Sequence, residues 1–232
     1  MSLVKKFYFT YKSIKLYGVD RVKWILNYVE EILGGRKSFE KKLPVDSNDN
    51  PLPWYTYPAI EYLQQFDFSH CSVFEYGSGN STKFWAGRAL SITSVETNPE
   101  WHRINSKDML SHQSLYLKTE EDGYVDAINL KENLYDVIII DGEYRYKCSI
   151  EAARKVKKGG FIILDNSDWF PKTSKYLRDK GFTQVDFCGM GPVNTYAWCT
   201  SFYFNGSLRI PRKFEEKANK VLGGLVQISK DD

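Results

Sequence analysis

The chain has 232 residues, 42% of them hydrophobic and 26% charged, and a formal net charge of +3. That length suits one sizeable core with extensions, and a charge so near balance argues against nucleic acid as a partner. No apolar run reaches the ~18 residues that a membrane span needs.

The four cysteines, Cys71, Cys148, Cys188 and Cys199, contain no Cys-x-x-Cys pair. This argues against a zinc site and fits reduced thiols in a soluble, cytoplasmic protein. Charge is uneven along the chain. Residues 1–42 hold ten Lys or Arg against four Asp or Glu, a balance of 10 − 4 = +6. Within that stretch Val22, Ile25, Leu26, Val29, Ile32 and Leu33 recur at helical spacing, which predicts a helix from Val19 ended by Gly34-Gly35. A basic amphipathic helix of this kind suits packing on the domain, a homodimer contact, or peripheral contact with an anionic membrane.

Pro44 to Pro53 is polar and turn-rich, so residues 1–50 divide off as a basic helical extension and linker. Residues 51–206 form the main domain, and 207–232 a basic tail without assignable chemistry. At the domain's start, Trp54-Tyr55-Thr56-Tyr57-Pro58 leads into a helix through Gln64. Aromatics so close to the stretch that follows suit either core filling or a lid over a bound cofactor.

That stretch is Ser72 to Thr82, Ser-Val-Phe-Glu-Tyr-Gly-Ser-Gly-Asn-Ser-Thr. Val73, Phe74 and Tyr76 suit a buried parallel strand, Gly77 and Gly79 a tight turn, and Asn80, Ser81 or Thr82 a helix cap. A dinucleotide site would place a third glycine where Thr82 stands. Glu75, just ahead of the turn, would repel a phosphate and attract a cationic cofactor such as S-adenosylmethionine, directly or through water. Glu96 lies 96 − 77 = 19 residues past Gly77, at the end of the second strand, where a carboxylate can accept both hydroxyls of a ribose. The acidic loop Glu120-Glu121-Asp122 after the third strand is placed to meet an adenine amino group.

The remaining elements alternate. Strands are predicted at Ser91–Glu96, Ser114–Leu117, Tyr135–Asp141 and Phe161–Leu164, with helices between them. Lys157-Lys158-Gly159-Gly160 reads as a helix stop, and Phe182–Phe187 with Trp198–Phe204 as a final antiparallel pair. The fold class is α/β: a doubly wound, mostly parallel seven-stranded sheet with an antiparallel edge strand, plus the N-terminal helical extension.

Phe-Glu-Tyr-Gly-Ser-Gly-Asn-Ser-Thr, Ser-Val-Glu96, Tyr-Asp-Val-Ile-Ile-Ile-Asp141-Gly142 and Gly-Gly-Phe-Ile-Ile-Leu-Asp165-Asn166 together resemble the successive motifs of class I S-adenosylmethionine-dependent methyltransferases. The resemblance covers about residues 50–205. Asp-Gly-x-x-Arg-x-x-Cys (Asp141 to Cys148) and Leu-Asp-Asn-Ser-Asp (Leu164 to Asp168) resemble a bacterial branch associated with polysaccharide and natural-product modification. The resemblance implies O-methylation of a small-molecule or glycan hydroxyl. It implies cofactor contacts from Tyr57, Glu75, Gly77, Ser78, Gly79, Asn80, Ser81, Glu96, Glu121 and Asp141.

Asp141, Asp165 and Asn166 match, in type and place, the oxygen ligands that catechol-type O-methyltransferases give to Mg²⁺. Where related enzymes carry a histidine base this chain has Tyr144, so Asp141, Tyr144, Asp168 and Glu143 are the candidate catalytic groups. Arg145 suits a bidentate grip on an anionic acceptor. His70, His102 and His112 read as ordinary surface residues. Rival readings are an aminopropyltransferase and a catalytically degenerate scaffold.

Overall fold

The structure is a computed structural model in which residues 18–107 and 109–213 and positions 8, 11, 12 and 222 are described. Its centre is a seven-stranded sheet of β1 (Ser72–Tyr76), β2 (Ser91–Glu96), β3 (Gln113–Leu117), β4 (Tyr135–Ile140), β5 (Val156–Leu164), β6 (Thr183–Gly189) and β7 (Trp198–Phe204). The strand order is β3-β2-β1-β4-β5-β7-β6. The first five strands run parallel, and β7 is antiparallel to both neighbours, β5 and β6. β1 and β4 are central, which is why Val73, Phe74, Val137, Ile138, Ile139 and Ile140 are all fully buried.

Each face of the sheet carries its own apolar cluster. One gathers Leu63, Phe68, Trp85 and Phe161 under helices α3 (Tyr57–Leu63) and α4 (Asn80–Ala86). The other gathers Tyr76, Tyr124, Cys148 and Leu177 under α6 (Glu121–Val125), α7 (Arg145–Lys155) and α8 (Pro171–Asp179). A short α5 (Pro99–Asn105) follows β2, capped by the Asn98 side chain, which accepts from the Glu100 and Trp101 N–H groups.

Three local expectations change. The predicted stop at Lys157 to Gly160 is instead the first half of β5, which begins directly at the end of α7. The register shift between Tyr135 and Val137 brings Gly160 against the Asp136 carbonyl, 2.3 Å from where a Cβ would sit, so glycine serves a close strand approach rather than a turn. The Pro44–Pro53 linker is ordered: Val45 bridges to Pro51, and Pro44 and Val45 are buried. Finally, Cys188 and Cys199 face each other on one β6–β7 rung and form a disulfide, Cα–Cα 4.1 Å. Only Cys71 and Cys148 are the free thiols expected of all four, and both are buried. Wide separation in sequence concealed this pairing because the hairpin register, not spacing, brings the two together.

The predicted N-terminal helix is α1 (Val19–Asn27), continued by a π turn over Tyr28–Ile32. It ends at Gly34, whose φ of 78° and contact with the Asp46 backbone turn the chain into α2 (Gly35–Lys41). No residue of α1 is buried, and Trp24, Ile25 and Leu26 are exposed. Most of residues 1–17 and of the tail beyond 213 lie outside the described residues. Among those described, no helix is long and apolar enough to cross a membrane.

Candidate active site

The turn after β1 is held from beneath. Glu75 is 1% exposed and accepts from Thr82 Oγ1 at 2.6 Å, Ser94 Oγ at 2.8 Å and the Ser81 hydroxyl. Thr82 Oγ1 in turn accepts the Gly79 N–H at 3.0 Å. Burial pushes the Glu75 carboxyl up to about 7, although the three hydroxyl donors pull it down. Glu75 therefore anchors the turn and does not itself line the cleft. Gly77 has φ 104°, and a Cβ there would lie 3.1 Å from the Asp141 carbonyl, so the turns after β1 and β4 meet backbone to backbone.

Ser78, Gly79, Asn80 and Ser81 line a cleft of about 470 Å³ at the carboxyl edge of the sheet. Ser78 is tied at three points. Its hydroxyl donates to Glu96 Oε2 at 2.7 Å and accepts from Asn105 Nδ2 at 3.0 Å, and its carbonyl accepts from Trp101 Nε1 at 2.8 Å. Glu96 Oε1 accepts the Thr97 and Asn98 N–H groups at 2.9 and 3.0 Å. Asn80 Nδ2 donates to the Pro44 carbonyl at 2.8 Å, which brings the ordered linker to the cleft wall.

The opposite side is built from the ends of β4 and β5. Asp141, Asp165 and Asn166 all line the cleft. Asp165 is 3% exposed, with Oδ1 accepting from Thr200 Oγ1 at 2.5 Å and Trp198 Nε1 at 3.0 Å. Burial and the neighbouring Asp141 carboxylate push its carboxyl well above the ordinary range, and burial raises Asp141 to about 6 against the pull of Arg145.

Several predicted roles are relocated. Arg145 does not reach into the cleft. Its guanidinium donates to the Gly142 carbonyl at 2.9 Å, the Asp165 carbonyl at 2.5 Å and Asn166 Oδ1 at 3.2 Å, pairs with Asp141 Oδ1 at 3.3 Å, and lies over the Phe170 ring. It clamps the ends of β4 and β5 together, a use of the planar fork that leaves little for an acceptor.

The same cation occupies the predicted Mg²⁺ ligands Asp141 and Asn166, while Asp165 Oδ1 is taken by hydroxyl and indole donors. Among the described residues, no group of three His, Cys, Asp or Glu side chains is arranged for a metal. The donor set does not fit Mg²⁺.

Tyr144, in a left-handed conformation ahead of α7, stacks edge-on with Tyr124 and does not line the cleft. Asp168 accepts the Cys199 N–H at 3.0 Å and faces a separate shallow pocket. Tyr57 lines another cavity beside the π turn, with burial raising its phenol to about 12. Glu121 pairs with Lys147.

The cleft also holds residues the motifs did not indicate. Of the six tryptophans, four (Trp54, Trp101, Trp169 and Trp198) line it, together with Tyr196 and Asn194. Trp54 alone lay within the stretch read as core or lid. The available signal was the tryptophans themselves: Trp54 and Trp169 sit in loops, while Trp101 and Trp198 sit near the start of α5 and β7.

No family model and no curated protein sequence matches the chain. Solved structures do. Precorrin-6y C5,15-methyltransferase from Geobacter metallireducens GS-15 superposes with a TM-score of 0.51 at 15% identity, covering 71% of this chain and 96% of that one. N-methyltransferase NodS from Bradyrhizobium japonicum WM9 gives 0.46 at 14% identity, over 59% and 86% of the two chains. SMU.1697c from Streptococcus mutans, in complex with SAH, gives 0.47 at 13%, over 62% and 93%. With the sheet order β3-β2-β1-β4-β5-β7-β6, the first of these likenesses establishes that the chain has the Rossmann-like fold of the class I methyltransferases.

Proposed function

We propose that the protein is an S-adenosylmethionine-dependent methyltransferase that methylates a hydroxyl oxygen of a small molecule or glycan without a metal. One observation carries the reading: the glycine turn and the strand-end acids Asp141 and Asp165 open on the same cleft. Ser78 to Ser81 would hold the cofactor, with buried Glu96 behind them through the Ser78 hydroxyl, since a turn with bare backbone beside a strand-end carboxylate suits an adenosyl group. When bound, the cofactor supplies an electrophilic methyl carbon on a sulfonium.

The chain's own task is alignment and proton removal. The acceptor hydroxyl must lie in line with the methyl group, held between the turn and the β4–β5 edge. Asp141 is the base that fits: Oδ1 is held by Arg145, Oδ2 makes no hydrogen bond to the described residues, and a carboxyl raised to about 6 is still ionised at neutral pH. Asp141 Oδ2 would take the hydroxyl proton as the C–O bond forms and the methyl carbon–sulfur bond of the sulfonium breaks, with S-adenosylhomocysteine as the leaving group.

Calorimetry with S-adenosylmethionine and S-adenosylhomocysteine tests the reading. Binding to the intact chain is expected, and Glu96→Ala should weaken it roughly tenfold to a hundredfold, the worth of charge-assisted hydrogen bonds. Absence of binding to the unmodified protein well above micromolar concentration overturns it. Detection of S-adenosylhomocysteine rather than methylthioadenosine as product separates methyl transfer from aminopropyl transfer.

A further inference from the structure

We propose that Trp198, Tyr196 and Trp169 form an acceptor platform, and that it selects an uncharged, flat-faced ring carrying the reacting hydroxyl on its edge. The proposal rests on the methyltransferase reading and names the acceptor chemistry of the same cleft.

The three rings make a continuous strip. Tyr196 and Trp198 lie 5.8 Å apart between centroids, and Trp169 and Tyr196 6.2 Å apart, with planes tilted by 59° and 33°. The inner end is fixed, because Trp198 is buried and its indole N–H is spent on Asp165 Oδ1 at 3.0 Å. The outer end is open: Trp169 is 55% and Tyr196 48% exposed. Large aromatic faces left in water on a cleft wall, one end pinned beside the reacting edge, suit a ligand that stacks.

The segment that carries Tyr196 and leads into Trp198 is built to hold still, while Trp169 comes from the loop between β5 and α8. It joins β6 to β7, the Cys188–Cys199 disulfide spans its base, and the Tyr57 N–H donates to the Met190 carbonyl at 2.8 Å. Gly191 packs so tightly that a Cβ would come within 2.4 Å of both the Trp198 ring and the Tyr55 carbonyl.

Charge decides what kind of ring is accepted. Asp141 is offset by the Arg145 guanidinium. Asp165 is buried, which favours its uncharged form. Among the described residues Lys42 is the one other cleft side chain that is charged at neutral pH. Lys42 is exposed and screened by solvent, so a floor so nearly neutral recruits neither a cation nor an anion. The Asn166 and Asn194 amides on the cleft are suited to hydroxyl groups at a ring's edge. A glycoside and a phenol both present this chemistry.

Ligand-observed saturation-transfer NMR on the full chain with bound S-adenosylhomocysteine tests the idea. The probes are methyl β-glucoside and resorcinol, with glucuronate and phenyltrimethylammonium as charged counterparts. One or both neutral rings are expected to bind, and to do so more tightly than the charged rings. Trp169→Ala and Tyr196→Ala should each weaken that binding about tenfold, the worth of one stacking partner, while S-adenosylhomocysteine affinity stays within about twofold.

A charged ring that binds as well as its neutral counterpart overturns the proposal. So do neutral rings that fail to bind, or bind unchanged to both variants. If S-adenosylhomocysteine does not bind the unmodified chain while the neutral rings still bind through Trp169 and Tyr196, the methyltransferase reading falls and the platform stands.

Discussion

Thr82 Oγ1 donates to Glu75 Oε2 at 2.6 Å while accepting the Gly79 N–H at 3.0 Å, so one hydroxyl ties the glycine turn to the strand beneath it. The residue standing where a dinucleotide site has glycine is thus structural in its own right. Thr82→Ala should lower unfolding free energy by about 1–3 kcal/mol, because a buried acid loses a donor and an N–H its acceptor. Thr82→Ser should recover most of the loss, and Thr82→Gly none of it. Urea denaturation measures all three; an unchanged midpoint for Thr82→Gly would refute this role.

Glu75 gives a signed pH dependence. Its folded carboxyl sits at about 7, above the unfolded value of ~4.3, so the folded chain keeps a proton that the unfolded chain has already released. Stability should fall as pH rises from about 4.5 to about 7 and level off above, with Glu75 contributing roughly 3 kcal/mol of that fall. Asp141 and Asp165 add slope of the same sign. In Glu75→Gln the curve should be visibly flatter, and equal slopes in the two proteins would count against the assignment.

Asp141 sets the expectation for rate. Methyl transfer should climb as pH rises through about 6, where the carboxylate becomes available as a base. Asp141→Asn should lower kcat by roughly 10²–10⁴ while S-adenosylhomocysteine still binds. Full activity in that variant would move the base elsewhere.

Arg145 should be a stability residue. Its side chain is 12% exposed and serves acceptors on both strand ends. Arg145→Ala strands the Asp141 charge in a buried site and should cost about 3 kcal/mol, and Arg145→Lys somewhat less because the fork is lost and the charge kept. Thermal and urea unfolding of the two variants report the order.

The Cys188–Cys199 bond predicts two reactive thiols, not four, when the protein is denatured without reductant. Closing so short a loop is worth about 3 kcal/mol in the chain-entropy account, so Cys199→Ser should be less stable by up to that amount. Four titratable thiols in protein prepared without reductant would show the bond absent.

Much of the framework was legible from residue order. The run from Tyr135 to Ile140 has to be an interior parallel strand, because β-branched side chains on both faces leave no side for water. Gly77 and Gly79 after a buried strand mark a turn, and Glu96 marks the end of the next strand. Period and chirality are local properties, so a doubly wound α/β sheet followed from them.

The roles of individual polar groups were decided by tertiary contacts. Glu75, Arg145 and Asp168 all stand beside motif positions, yet each is spent on the protein's own donors or acceptors: hydroxyls, strand-end carbonyls and an N–H. A sequence shows which side chains can make hydrogen bonds, but the packed fold settles which partner arrives first. Register did the same for Cys188 and Cys199. The aromatic strip of Trp198, Tyr196 and Trp169 exists only because the loop joining β6 to β7 folds back beside β5. The sequence by itself thus determined the sheet, its glycine turn and its strand-end acids, because these follow from local pattern. Tertiary structure alone decided which of those groups face the cleft and what wall they face across it, because that depends on contacts between residues far apart in the chain.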